Sequence, residues 1–130
     1  MKKGVIRSIG AVFAGLLFIA VTHNGTDFIL ENMGVLPKGN LHVATGLILM
    51  VLVYRTVFSL IGCYITARLA PNHPLRHALI LGILGAIVSA IGAVVASDLA
   101  PGWYGLTLAL LAIPIAYVAG KFYELQAASN

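Results

Sequence analysis

The sequence predicts an all-α fold, a four-helix transmembrane bundle running up-down-up-down, with a short external interfacial helix. Three observations lead to this prediction. Of 130 residues, 60% are hydrophobic and 9% are charged, whereas soluble domains carry about 25% charged residues. The mean hydropathy is +0.99. The apolar residues also fall into four runs, each close to the ~20 residues that cross a bilayer as a helix.

The four predicted spans form a single domain, 1–130, because this length allows no more than one. They cover residues 5–22, 43–70, 75–97 and 103–123. The turns between the last three spans are short, so successive spans should be antiparallel neighbours. Pro74 suits the first helical position of the third span, where its missing N–H costs nothing. Trp103 and Tyr104 should anchor the fourth span at the outer interface.

The distribution of charge predicts a bacterial inner-membrane protein with both termini cytoplasmic. Lys and Arg are enriched at cytoplasmic ends of spans, and only Lys38 falls on the outer side. The cytoplasmic ends would hold Lys2, Lys3, Arg7, Arg68, Arg76 and Lys121. The net charge of +4 therefore reports membrane orientation, and we predict no nucleic-acid partner. Arg68, Arg76 and His77 are candidates for binding anionic lipid headgroups.

The segment from Asn24 to Asn40 is the only long connection. Gly25 is expected to break the first helix. Residues 27–33 then form the short external helix, with Gly34 as its terminator. Phe28 would lie on an apolar side of that helix, facing the membrane surface.

Arg55 is the anomaly of the sequence, because it lies near the middle of the second apolar span. A guanidinium cannot lose its proton there and must find partners. One reading is structural, with Arg55 bonded to carbonyls freed at Pro114 or to nearby side chains. A second is functional, with Arg55 as a buried site for an anion or lipid phosphate, and a third is that it snorkels outward. The candidate partners are Tyr54, Tyr64 and Thr56.

Acidic residues occur near the outer ends of the spans, and none lies in mid-span to pair with Arg55. Asp27, Glu31 and Asp98 would form an external acidic rim. If residues 27–33 dipped inward, a polar vestibule would open between this rim and Arg55. His23, Asp27 and Glu31 are spaced by four, and on one helix face they would form a candidate zinc site with His42. We predict no metal, because Gly25 interrupts that face.

Catalytic patterns are missing: the sequence has no GxSxG, CxxC, phosphate loop or HExxH. We therefore predict no enzymatic activity and no cofactor. Small residues instead recur at helical spacing in the third span, which favours close helix packing in lipid. One row is Ala78, Gly82, Ala86 and Ala90, and the other is Gly85, Ser89, Ala93 and Ser97. Two rows predict contacts on two sides and make this span the candidate central helix.

The sequences GCYITARLAP (62–71) and RHALILGILG (76–85) resemble a group of small bacterial four-span integral membrane proteins. In that group the second span ends in Gly-Gly-Tyr-x-x-Ala-Arg and the third opens with His-x4-Gly-x2-Gly. Cys63 replaces the second glycine here, so the backbone of the second span is expected to contact its neighbour less closely at that point. The resemblance covers about a third of the chain and implies the four-span fold, with no substrate or cofactor.

Two functions follow as expectations. The first is a non-enzymatic membrane protein that binds lipid or a membrane partner through its helix faces. The second is a small oligomeric transporter or channel that uses Arg55 as a buried anion-attracting site. The partners expected are membrane lipids and, because the small-residue rows suit an interface, a second copy of the chain in a homo-oligomer.

Overall fold

The computed structural model describes residues 2–129, and within that range the chain forms four α-helices. They are α1 (Lys2–Asn32), α2 (Thr45–Leu69), α3 (Pro74–Val95) and α4 (Gly102–Ser129). Each is long and apolar enough to cross a membrane. The predicted all-α four-helix bundle is confirmed, and α3 begins at Pro74 as expected.

The first helix is longer than predicted, because Gly25 does not break it. A mid-helix glycine costs about 1 kcal/mol relative to alanine but leaves the helix possible. The flanking polar side chains bond back to helical carbonyls: the Thr22 hydroxyl donates to the Phe18 carbonyl and the Asn24 amide to the Ala20 carbonyl, each at 2.7 Å. Residues 27–32 are therefore the last turns of α1, and no separate external helix forms in the described chain.

The predicted terminator Gly34 does end α1. It has a left-handed φ of 80°, which glycine adopts without penalty. Its N–H donates to the Glu31 carbonyl at 3.2 Å, and the N–H of Val35 donates to the Leu30 carbonyl at 3.0 Å. This pair of bonds is a Schellman motif, which satisfies carbonyls left free at the helix end.

The helices run alternately up and down, and each pair of helices is in contact except α1 with α4. The N-terminal half of α1 lies beside the turn joining α2 to α3, and the C-terminal part of α4 lies there too. Both ends of the described chain are thus on the same side of the bundle as this turn. The opposite side holds the 33–44 connection and the turn between α3 and α4.

Helices α1 and α2 approach closely through Gly15 and Gly62. A Cβ built on Gly15 would lie 2.6 Å from the Gly62 carbonyl oxygen and 2.7 Å from a Leu81 methyl group. The hydroxyl of fully buried Thr66 donates to the Ala11 carbonyl across the same interface at 2.8 Å. Small residues and an interhelical hydrogen bond therefore join these helices, as expected where lipid supplies little hydrophobic drive.

The small residues of both rows that make close contacts pack against α4, and α3 also contacts α1 and α2, so the predicted contacts on two sides are present but are not divided between the two rows. Gly82 packs against Ala116, and a Cβ on Gly85 would meet the Ala112 Cβ at 3.8 Å; Ala93 packs against Gly105. All of these partners belong to α4. Successive small residues at steps of three and four follow the crossing of two helices, which explains why both rows serve one interface. Helix α3 shares the central position with α2, since each contacts all three other helices.

The helix ends opposite the turn between α2 and α3 are held together by the 33–44 connection and the turn between α3 and α4. The N–H of Leu41 donates to the Leu99 carbonyl at 2.6 Å. The His42 imidazole Nε2 lies 3.0 Å from the carbonyl of Asp98. Leu36 is buried beneath them and packs with the N-terminal parts of α2 and α4. These contacts hold the 33–44 connection over the bundle.

Candidate functional site

Arg55 pairs with Asp27, one of the three acids that the sequence places near the ends of the spans. The Arg55 guanidinium donates to Asp27 Oδ2 in an ion pair, with 19% and 23% of the two side chains exposed. Arg55 lies on α2 about 15 Å along the axis from Thr45. The pairing follows from the continuity of α1, which carries Asp27 down beside α2.

Two further side chains complete this polar cluster. The Tyr54 hydroxyl donates to the other oxygen of Asp27. The His23 imidazole, one turn before Asp27 on α1, lies 3.1 Å from the Arg55 carbonyl and 3.4 Å from the Ser59 hydroxyl. The carboxylate thus accepts from both Tyr54 and Arg55. Charge-assisted bonds of this kind fix the register of the two helices.

A cavity of about 350 Å³ lies beside the ion pair, and residues of all four helices and of the 33–44 connection line it. This volume is within the range of small-molecule sites, roughly 300–1,000 Å³. Its walls are mostly apolar, formed by residues such as Leu36, Val88 and Leu108. Arg55 and Asp27 lie in the wall at its polar end.

Tyr104 also lines the cavity, and the prediction that it anchors the outer interface was wrong. Only 6% of its surface is exposed, whereas neighbouring Trp103 is 42% exposed. Consecutive helical residues point about 100° apart. Trp103 therefore faces the lipid side of α4, and Tyr104 faces the interior of the bundle. The Arg55 guanidinium carbon lies 6.0 Å from the centroid of the Tyr104 ring.

Two buried polar atoms at this end of the cavity have no acceptor among residues 2–129. They are Arg55 Nε and the Tyr104 hydroxyl. Buried polar groups in proteins are almost always paired, and each exception needs an explanation. Both groups are hydrogen-bond donors, and arginine has no acceptor capacity. Both atoms are almost completely enclosed by protein, so a molecule in the cavity does not reach them without movement of the side chains.

The charge around the cavity does not favour an anion. Glu31 lines it as well as Asp27, so two carboxylates face one guanidinium. The Gly39 N–H lies 3.4 Å from Glu31 Oε1, a weak contact. Arg55 is consequently compensated, and its use as a free anion-attracting charge loses its main support.

The other candidate residues lie apart from this cluster. Tyr64 faces the opposite end of the bundle, where its hydroxyl donates to Gln126, and Thr56 is half-buried without forming part of the ion pair. Asp98 is exposed and contributes its backbone carbonyl to His42. Of the three acids of the predicted rim, Asp27 and Glu31 are in the wall of the cavity near Arg55, and an outward-open polar vestibule stays a prediction.

His77 does not fit the predicted headgroup site. It is buried, with 6% of its surface exposed. Its Nε2 lies 2.8 Å from the Ser8 hydroxyl and its Nδ1 lies 3.0 Å from the His73 carbonyl. His77 thus ties the start of α3 to α1. Arg68 and Arg76 are exposed, and their binding to headgroups stays a prediction.

The face formed by His23, Asp27 and Glu31 is continuous, contrary to the expected break at Gly25. The three side chains nevertheless have separate contacts, with α2 for the first two and with the 33–44 connection for Glu31. Within residues 2–129, no three His, Cys, Asp or Glu side chains are placed to share a metal ion.

Comparison with known proteins gives no match, whether to protein-family models, to curated proteins or to solved structures. The resemblance of residues 62–71 and 76–85 to small four-span membrane proteins therefore stays a prediction. The structure shows the packing of two glycines in these segments, Gly62 and Gly82. Gly62 lies against Gly15 of α1, and Gly82 lies against Ala116 of α4.

Proposed function

We propose that this multi-pass membrane protein binds a small, largely apolar molecule in the cavity beside Arg55 and Asp27, without catalysing a reaction. The observation that supports the proposal is an apolar cavity of about 350 Å³ with the Arg55–Asp27 ion pair in its wall. A few convergent polar groups in an apolar pocket are typical of ligand sites. The binding place is thus internal, whereas the exposed helix faces carry the apolar side chains that any lipid-facing surface requires.

Transport by an oligomer is the alternative, and it has less support. Helices α3 and α4 are in close contact between the cavity and the turn that joins α2 to α3. There Gly82 contacts Ala116, and Gly120 contacts Leu75 and Ala78. A path across the membrane would need these helices to separate. Oligomer formation and lipid binding at the helix faces stay predictions.

The binding proposal predicts that Gly92→Leu abolishes saturable labelling by an uncharged alkyl diazirine in lipid nanodiscs. Gly92 lines the cavity, and a Cβ there meets no atom within 4 Å, so the leucine fills the cavity without a clash at its Cβ. Labelled residues are mapped by mass spectrometry, with unlabelled alkane as competitor. Labelling should concentrate on α3 and α4 residues of the cavity in the original protein.

Gly10→Leu is the matched control. Gly10 also has open space around its Cβ and does not line the cavity, so labelling should persist. The proposal fails if labelling does not saturate, if it is spread over the lipid-facing surfaces, or if Gly92→Leu and Gly10→Leu behave alike.

We further propose that the 33–44 connection lies outside the cell and the turn between α2 and α3 lies in the cytoplasm. The support is the asymmetry of Lys and Arg. In a Cys63→Ala background, Lys38→Cys should react with a membrane-impermeant maleimide in intact cells, and Asn72→Cys only after lysis. Both positions are exposed and Cys63 is buried. The reverse pattern would invert the topology.

A further inference from the structure

We infer that a groove between α2 and α4 binds one acyl chain of an anionic phospholipid, whose phosphate lies at Arg68. The groove is separate from the cavity beside Arg55, because it lies in the C-terminal halves of α2 and α4, towards the turn that joins α2 to α3. Its volume is about 370 Å³. Six side chains line it: Leu60, Ile61 and Tyr64 of α2, and Val118, Ala119 and Phe122 of α4.

The shape of the groove suits a chain of methylene groups. Ala119 is buried and Leu60 is half-buried, so these two form its floor. Ile61, Val118 and Phe122 are exposed and form its rim. A chain that lies in a groove gains dispersion contacts from the floor and both sides, whereas a chain against a convex helix face gains them from one side. The groove therefore holds an acyl chain more strongly than the rest of the lipid-facing surface does.

The groove becomes polar at its end near the turn between α2 and α3. The Tyr64 ring centroid lies 6.0 Å from that of Phe122, and the Tyr64 hydroxyl donates to Gln126 on α4. Arg68 follows Tyr64 by one turn, about 6 Å along the axis, and residues spaced by four share one side of a helix. Arg68 is exposed and is the last residue but one of α2. A lipid whose chain lies in the groove thus has its headgroup beside Arg68.

The charge at this end of the bundle favours an anionic headgroup. Among residues 2–129, no carboxylate lies within 4 Å of Arg68, whereas the Lys121 ammonium lies 3.8 Å from Glu124 Oε1. Arg7 and Arg76 are exposed at the same end. Basic sites between transmembrane helices bind phosphate-containing headgroups, and a guanidinium can donate two parallel hydrogen bonds to a phosphate. A zwitterionic headgroup also brings a cation, which these basic side chains repel.

A second copy of the chain fits the groove less well than a lipid does. In a dimer with a two-fold axis normal to the membrane, the same surface patch meets itself. The two grooves would then face each other and enclose an unfilled space. The two Arg68 side chains would also lie close together with like charge. A phospholipid instead fills the groove and supplies an anion to Arg68.

The test is native mass spectrometry of the protein released from nanodiscs that contain equal amounts of phosphatidylglycerol and phosphatidylcholine with the same acyl chains. We expect the original protein to retain about fivefold more of the anionic lipid, the effect of one basic side chain near an anionic headgroup. Arg68→Gln should abolish this preference. Arg76→Gln is the matched control, because Arg76 is exposed at the same end and does not line the groove, so the preference should persist.

A second pair of variants tests the groove itself. Phe122→Ala removes part of the rim and should lower the retention of both lipids about threefold, because the chain loses dispersion contacts. Leu125→Ala removes an apolar side chain of α4 that does not line the groove, and it should change neither lipid. Phe122 and Leu125 are 59% and 63% exposed, so both variants should fold, which the circular dichroism of the helices checks.

Each contrary outcome overturns one part of the inference. Equal retention of the two lipids by the original protein, or equal loss of preference in Arg68→Gln and Arg76→Gln, would refute an anionic headgroup at Arg68. Equal retention in Phe122→Ala and Leu125→Ala would refute the groove as the place of the chain. A dimer that retains no lipid and dissociates in Phe122→Ala would show that a second copy occupies the groove. The cavity beside Arg55 is tested separately, by Gly92→Leu.

Discussion

Asp27→Asn is expected to lower the free energy of unfolding by about 3 kcal/mol. The substitution keeps the volume of the side chain but leaves the Arg55 guanidinium without its counter-charge. Breaking a buried ion pair by removing one partner costs roughly 3–5 kcal/mol. The lower end applies here, because both side chains keep about a fifth of their surface exposed.

The measurement is unfolding in mild detergent followed by the far-ultraviolet circular dichroism of the helices. Glu31→Gln is the matched control, since Glu31 lies one turn further along α1 and contacts only a backbone N–H. Its cost should stay within about 0.5 kcal/mol. A loss below 1 kcal/mol in Asp27→Asn would show that the ion pair does not hold the helices together.

A double substitution separates the interaction from the penalty of an unpaired charge. Replacing both Asp27 and Arg55 by leucine removes both charges, and such replacements are often neutral or stabilising. We therefore expect the double variant to be more stable than Asp27→Asn. If the ion pair were a net source of stability, the double variant would be the least stable of the set.

The number of helices could be predicted from the sequence because bilayer thickness fixes the length of an apolar span. The same rule placed the end of α1 at residue 22, whereas the helix continues to Asn32. The polar residues after Thr22 predict a segment outside the membrane, and Gly25 predicts the end of the helix. The missing information was tertiary, since Asp27 and His23 are polar residues that face α2 rather than solvent.

One signal for the ion pair was present in the sequence. His23, Asp27 and Glu31 are spaced by four, so a continuous helix places them on one side, and Arg55 needed a partner. By itself the spacing is also typical of a metal site, and Gly25 predicts a break in that helix face. Whether a single glycine breaks a helix depends on the packing of that helix, which spacing alone does not report.

The role of Tyr104 was not predictable from composition. Aromatic residues at the end of a span are enriched at the interface, and Trp103 follows that rule. Which of two adjacent aromatics faces inward depends on the rotation of α4 about its axis. That rotation is set by the contacts of Gly105 with Ala93 and of Gly120 with Leu75.

Gly15→Leu is expected to destabilise the bundle by about 3 kcal/mol, the upper end for overpacking. Its Cβ would lie 2.6 Å from the Gly62 carbonyl oxygen, which belongs to the backbone of α2 and cannot rotate away. The helices must therefore separate, and the bond from Thr66 to the Ala11 carbonyl is lost with them. Detergent unfolding measures the effect, and Gly10→Leu, where the Cβ meets open space, should cost little.

The same substitution tests whether close packing at Gly15 positions the ion pair. Gly15 and Asp27 lie about 18 Å apart along α1, a distance at which independent substitutions usually have additive effects. If α1 and α2 move apart as rigid helices, Arg55 and Asp27 separate too. Asp27→Asn should then cost at least 1 kcal/mol less in the Gly15→Leu background than alone. Full additivity would show that the two ends of the interface hold independently, and that the ion pair sets the register of α2 against α1 by itself.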